Sequence, residues 1–154
     1  MYGFNRLIEA VDKIAERMDE EIIMQIGEST CTPKNAKYFR YTSSDEIEHL
    51  YKASRIVICH AGVGSILTAL KFNKLIIIVP RRKIFGEHID DHQIEIANKL
   101  KGTCGIKVVY DLETLEDAIE KSNDICSVQI DENHGELVIK LKAYIRNLDS
   151  DSNG

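Results

Sequence analysis

The chain is 154 residues long, 44% hydrophobic and 29% charged, with a formal net charge of −5. That length suits one domain with a sizeable core, and the acidic balance argues against a nucleic-acid binder, which carries a basic surplus. No apolar run approaches the roughly 20 residues needed to cross a bilayer, and the opening MYGFNRLIEAVDK lacks the charged-then-apolar pattern of a signal peptide.

In chain order, residues 4–18 carry Leu7, Ile8, Val11, Ile14, Ala15 and Met18 at helical spacing. EIIMQIG (21–27) predicts a strand ended by glycine, STCTPKNAK (29–37) a polar loop, and YFRYT (38–42) a second strand. SSDEIEHLYKAS (43–54) opens with a capping box, Ser43 three residues before Glu46, and predicts a helix. RIVIC (55–59) reads as a strand and GSILTALKFN (64–73) as a helix. LIIIV (75–79) shows no alternation, so it predicts a strand covered on both faces, and Pro80 ends it. RRKIFGEHID (81–90) predicts a loop leading into a helix that runs to about Leu100. IKVVY (106–110) predicts a strand and LETLEDAIEK (112–121) a short helix. DICSVQI (124–130) is ambiguous, and HGELVIKLKAYIRNL (134–148) reads as a closing helix. Residues 1–148 form one domain in this reading, with 149–154 a disordered tail.

Strands and helices alternate, and the strands are continuous apolar runs. That pattern predicts an α/β fold, a parallel sheet with helices on both faces. Ligands in such folds sit beyond the carboxyl ends of the strands. The cysteines Cys31, Cys59, Cys104 and Cys126 form no C-x-x-C pair, which fits reduced thiols in a cytosol better than a disulfide framework or zinc ribbon.

The first loop to search is CHAGVGS, between strand 55–59 and helix 64–73. Gly62 and Gly64 let a ligand approach the backbone. The first amides of the next helix have no internal partners and sit at the positive end of its dipole, which makes an anion site. Ser65 adds a hydroxyl and His60 an imidazole. The same glycines would also serve a tight turn that needs them only for packing. The spacing matches neither G-x-x-x-x-G-K-[ST] nor G-x-G-x-x-G, which argues against a P-loop hydrolase or a standard dinucleotide enzyme.

The second loop is PRRKIFGEHIDDHQ. Ile89, Ile96 and Leu100 form an apolar stripe whose early continuation falls on His92 and Gln93. Buried polar groups need partners. A polar ligand between the two loops would supply them; so would solvent or backbone. Arg81, Arg82 and Lys83 form a basic cluster suited to a solvated loop or to contact with a phosphate or an acceptor. His88 and His92 stand four apart, but the helical zinc motif requires Glu after the first histidine and Ile89 stands there, so no metal is expected.

HAGVGSILTALKFNKLIIIVPRR followed by DDHQIEIANKL resembles the C-terminal half of GT-B glycosyltransferases of the MurG-like kind. Within that group it is most similar to the stand-alone Alg13-like and PssE-like subunits. The resemblance implies a Rossmann-like domain that binds a UDP-sugar as substrate, with no cofactor. Carried over by position, His60, Gly62, Val63, Gly64 and Ser65 would hold the diphosphate, while His92 and Gln93 would touch the donor sugar. Thr68 falls where many relatives carry an acidic residue for the ribose. The implied function is the donor-binding subunit of a two-part enzyme that moves GlcNAc or another hexose to a lipid-linked or polysaccharide acceptor. The implied partner is a membrane-anchored, Alg14-like or PssD-like subunit that holds the acceptor. The implied location is cytoplasmic, at the membrane only through that partner.

Relatives begin with an apolar strand ahead of the FNRLIEAVD-like helix, whereas this chain starts at Met1-Tyr2-Gly3. The expectation is that Met1 lies inside a longer natural protein, and that the first strand of the fold is missing here. Two other readings stand beside the transferase: a nucleotide-sugar-binding module without turnover, and a fragment of a UDP-sugar epimerase.

Overall fold

The computed structural model describes residues 2–122. The expectations for 124–130, 134–148 and the 149–154 tail lie outside those residues. Five helices and five strands are described: α1 (Asn5–Arg17), β1 (Ile23–Gln25), β2 (Lys37–Phe39), α2 (Ser44–Ala53), β3 (Ile56–Cys59), α3 (Val63–Lys71), β4 (Leu75–Ile78), α4 (His92–Leu100), β5 (Ile106–Val108) and α5 (Leu115–Lys121). Short 3₁₀ turns occupy Lys83–Phe85 and Leu112–Thr114.

All strand pairs are parallel. β3, β4 and β5 form one ladder in that order, with Cys59 opposite Ile78 and Ile78 opposite Val108. β1 and β2 form a second, separate ladder. The α/β class therefore stands, but the hydrogen-bonded surface is split in two. The two ladders are joined through side chains. Met24 and Ile26, at the β1 end, share a core with Ile77 and Val79 from the β4 strand.

β4 is the middle strand of its ladder, and its alternation divides the core. Ile77 and Val79 face Leu7, Ile8, Val11 and Ile14 of α1 and Leu115, Ala118 and Ile119 of α5. Ile76 and Ile78 face Ile66, Ala69 and Leu70 of α3 and Ile96, Ala97 and Leu100 of α4. Successive side chains of a strand point to opposite faces, so a strand buried on both faces must be apolar at every position. Full burial of each such side chain contributes about 1.5–3 kcal/mol.

The helices follow their local signals. α1 buries Leu7, Ile8, Val11 and Ile14, one face of a 3.6-residue period. Its start is pinned by the loop that follows β1: the Phe4 amide donates to Ser29 Oγ at 2.8 Å, inside the core. Farther along, Asp12 accepts from the amides of Lys34, Asn35 and Ala36. α2 is capped by Ser43, whose Oγ accepts from the Glu46 amide at 3.2 Å. α3 ends at Phe72, and Asn73 takes a left-handed φ of 54°, a conformation asparagine tolerates.

Candidate functional site

Because β3 and β4 are neighbours and parallel, the loops leaving their carboxyl ends emerge side by side. The ladder continues to the base of both, through the Val79 amide donating to Cys59 O at 2.9 Å. This brings His60 next to residues that lie more than 20 positions away in sequence.

In the first loop, Gly62 is the N-cap of α3 and the helix begins at Val63, one residue earlier than the sequence indicated. No described side chain caps it. The Ile66 amide is the first to find a helical carbonyl, Gly62 O at 3.2 Å. The amides of Val63, Gly64 and Ser65 have no acceptor among the described residues. They are the positive end of the helix dipole. A side chain grown at Gly64 would meet none of the described residues within 4 Å, so the space outside this turn is open among them.

Gly62 has a different reason to be glycine. Its φ of −81° and ψ of 126° are ordinary for any residue. A Cβ there would sit 2.0 Å from His60 Cε1 and 2.6 Å from Nδ1. The Cε1 side of the imidazole packs against Gly62, and only hydrogen leaves room for it. The sequence left both explanations of the glycines open; the geometry assigns packing to Gly62 and open space to Gly64.

His60 is held from its other side by α4. Gln93 is buried on that helix, and its Nε2 lies 3.2 Å from His60 Nδ1. Its Oε1 accepts from the Arg81 amide at 2.9 Å. Burial, with the nearby charges of Arg81 and His88, pushes the His60 imidazole down to about 4, against a weaker opposing effect from the Gln93 hydrogen bond. At neutral pH the ring is uncharged. Nε2 makes no hydrogen bond within the described residues.

The second loop is built around a buried carboxylate that the sequence reading passed over. Glu87 is 4% exposed and accepts from Arg6 through both oxygens, at 2.7 and 3.0 Å. It also accepts from the Arg82 amide at 2.9 Å. Arg6 lies over the Phe85 ring, 4.6 Å from its centroid. The loop is thus anchored to α1 across 81 residues of sequence. No local pattern separates Glu87 from the solvated acids around it. Arg81 and Arg82 both bury an Nε that has no hydrogen-bond partner among the described residues, and their guanidiniums lie over Phe4 and Phe85 at 5.4 Å. The Arg81 charge bears on both His60 and Glu87, while Arg82 meets Glu87 through its amide.

The remaining candidates are placed differently. α4 starts at His92, so Ile89 precedes the helix and is 67% exposed. The inward stripe is Gln93, Ile96, Ala97 and Leu100, with Gln93 in the place expected of an apolar residue. His92 is exposed, its amide donates to Asp90 Oδ1, and its ring lies 3.4 Å from Glu95 Oε2 and 3.5 Å from Asp90 Oδ2. Thr68 turns its hydroxyl back along the helix and donates to Gly64 O at 2.8 Å. Its hydrogen is engaged, which leaves only acceptor capacity for a ligand. Among the described residues no group of three or more His, Cys, Asp or Glu side chains is arranged to hold a metal ion.

The Glycosyltransferase family 28 C-terminal domain matches this chain over residues 2–143. The chain belongs to that family. Its parallel α/β layers are those of the C-terminal half of a GT-B glycosyltransferase. Three relatives of the domain share one description, "UDP-N-acetylglucosamine transferase subunit ALG13". The Yarrowia lipolytica protein is 40% identical over 62 residues, 40% of this chain and 29% of that protein. The Debaryomyces hansenii protein is 33% identical over 82 residues, 51% of this chain and 37% of that protein. The Homo sapiens protein is 29% identical over 97 residues, 60% of this chain and 8% of that protein. The family 28 domain here therefore matches well under two thirds of each relative's length.

Proposed function

We propose that this family 28 domain binds the diphosphate of a UDP-sugar at the start of α3 and serves as the donor-binding subunit of a two-part glycosyltransferase. The observation that carries the reading is the uncapped turn. Among the described residues the amides of Val63, Gly64 and Ser65 lack acceptors and the space outside Gly64 is open. Oriented amides at a helix N-terminus favour phosphate oxygens without any counter-charge from a side chain. His60 adds a neutral N–H donor, and Arg81 adds a cation beside it.

The relatives described as UDP-N-acetylglucosamine transferase subunits support GlcNAc as the donor sugar, with another hexose as the alternative. The sugar would lie toward α4, near Gln93 and His92. Thr68 would offer an acceptor toward the ribose. In the reaction the bond from the anomeric carbon to the diphosphate oxygen breaks, and UDP leaves with the electron pair. A bond to the acceptor hydroxyl forms, and its proton passes to a base. The chain's part is to stabilise charge on the departing diphosphate through the amides and the His60 N–H. We assign the base and the lipid-linked or polysaccharide acceptor to a membrane-anchored partner subunit, with this domain held at the cytoplasmic face through it. No described helix is long and apolar enough to cross a membrane, which is compatible with that division.

The test is calorimetric titration of UDP and UDP-GlcNAc into the protein, with His60→Ala and Gly64→Ala beside it. Binding that both substitutions weaken supports the reading. Absence of UDP binding at millimolar concentration refutes it. Transfer of labelled GlcNAc on co-expression with the membrane-anchored partner separates a transferase subunit from a binder without turnover.

A further inference from the structure

We propose that Gln93 is a positioning residue that fixes the tautomer of His60, rather than a residue whose polar atoms await the sugar. The assignment follows from one donor whose identity is not in doubt. The Arg81 backbone N–H can only donate, and it meets one end of the Gln93 amide at 2.9 Å. That end is therefore the carbonyl oxygen. The other end is then the NH₂ group, and it meets His60 Nδ1 at 3.2 Å. An NH₂ group can only donate, so Nδ1 accepts, and in a neutral imidazole the hydrogen must be on Nε2. Nε2 has no partner among the described residues and adjoins Gly62, where an added Cβ would lie 3.0 Å away.

Reversing the amide would set two donors against each other at Arg81 and break the arrangement. Burial of Gln93 makes this costly, because no water replaces a lost partner for a side chain only 6% exposed. Arg81 and His88 also bear on the ring, and both disfavour a second proton on it. Burial and these two groups thus favour a neutral ring, and the Gln93 amide sets its N–H beside the glycine turn. A donor in that place suits a phosphate oxygen, whereas the other tautomer would present a lone pair and repel it. The functional weight of the inference rests on the diphosphate reading above; the tautomer itself does not.

Two-bond ¹⁵N–¹H spectra of the full chain at pH 7 decide it, with His60 assigned by its loss in His60→Ala. The expected wild-type pattern is the Nε2–H tautomer. In Gln93→Glu the carboxylate must accept from both Arg81 and the ring, so the half-buried, neutral His60 is expected to move to the Nδ1–H form. UDP binding should weaken by about tenfold in that variant, the scale of one lost hydrogen bond to a charged group. A wild-type Nδ1–H pattern overturns the inference even if the variant does not fold. So does a folded Gln93→Glu in which the ring keeps its Nε2–H form. If the tautomer switches and UDP affinity stays the same, the positioning role is refuted. If wild-type protein binds no UDP but the tautomer switches as expected, the donor-site reading fails and the Gln93–His60 coupling stands.

Discussion

Alanine at the two glycines of the β3–α3 loop should produce opposite effects on stability, for reasons that differ atom by atom. At Gly62 the new methyl would sit 2.0 Å from His60 Cε1 and 3.0 Å from Nε2. The backbone there needs no glycine, so the whole effect is expulsion of the imidazole. Rotating the ring away loses the Gln93–His60 hydrogen bond and leaves a buried amide without its partner, about 1–3 kcal/mol. Restricting the unfolded chain offsets about 0.4–1 kcal/mol of this. The net expectation is a loss of about 1–2 kcal/mol, or a Tm lower by about 3–8 °C. At Gly64, inside the first turn of α3, the methyl meets none of the described residues. Replacing glycine by alanine in a helix gains about 0.5–1 kcal/mol. Yet that methyl fills the space where the phosphate would approach, so UDP binding should weaken by about tenfold or more. Urea unfolding followed by fluorescence or circular dichroism gives the stabilities, and calorimetry gives the affinities. A Gly64→Ala protein that is more stable and binds UDP as tightly as wild type would refute the placement of the diphosphate at this turn. A Gly62→Ala protein as stable as wild type would refute the packing account of His60.

Acid should destabilise the protein through His60. Its folded value of about 4 lies below the ordinary 6.5, so the unfolded chain binds the extra proton and stability falls as pH drops from 6.5 toward 4. The loss between pH 7 and pH 5 is about 2 kcal/mol, read from urea midpoints, and His60→Ala should flatten it. Below that range Asp12 adds a second dependence. Desolvation raises its carboxyl, but the amides of Lys34, Asn35 and Ala36 outweigh this and hold it below the usual value. Its contribution is present above the unfolded value and is lost as pH falls through the folded one, so Asp12→Asn should reduce the acid sensitivity of a melt followed below pH 4. Arg6→Met leaves the buried Glu87 without its ion-pair partner and should cost about 3 kcal/mol, while Glu87→Gln should cost less; both are measured by urea unfolding. Gly3→Ala places a methyl 2.8 Å from the Ser29 Cα and 2.9 Å from Glu28 O, both backbone atoms that cannot swing aside, and a lower Tm is expected in a thermal melt.

The order and type of the elements were legible in the sequence because the signals are local. The helical spacing of Leu7, Ile8, Val11 and Ile14, the Ser43 cap, the unbroken isoleucines of β4 and the glycines at the start of α3 each act over a few residues. The candidate anion turn was legible for the same reason, since a strand, two glycines and a helix are contiguous. Tertiary structure decided what surrounds that turn. Ile89 was assigned to the inward stripe by periodicity, but the helix starts three residues later and Gln93 takes the inward place. The partners of Gln93 lie 12 and 33 residues away, and the arginine that neutralises Glu87 lies 81 away. Periodicity reports which face of an element turns inward and is silent on what it meets there. A buried glutamine or glutamate is tolerated only where the fold delivers its partner: for Gln93 that follows from two parallel neighbouring strands ending at the same edge, and for Glu87 from α1 lying against the second loop.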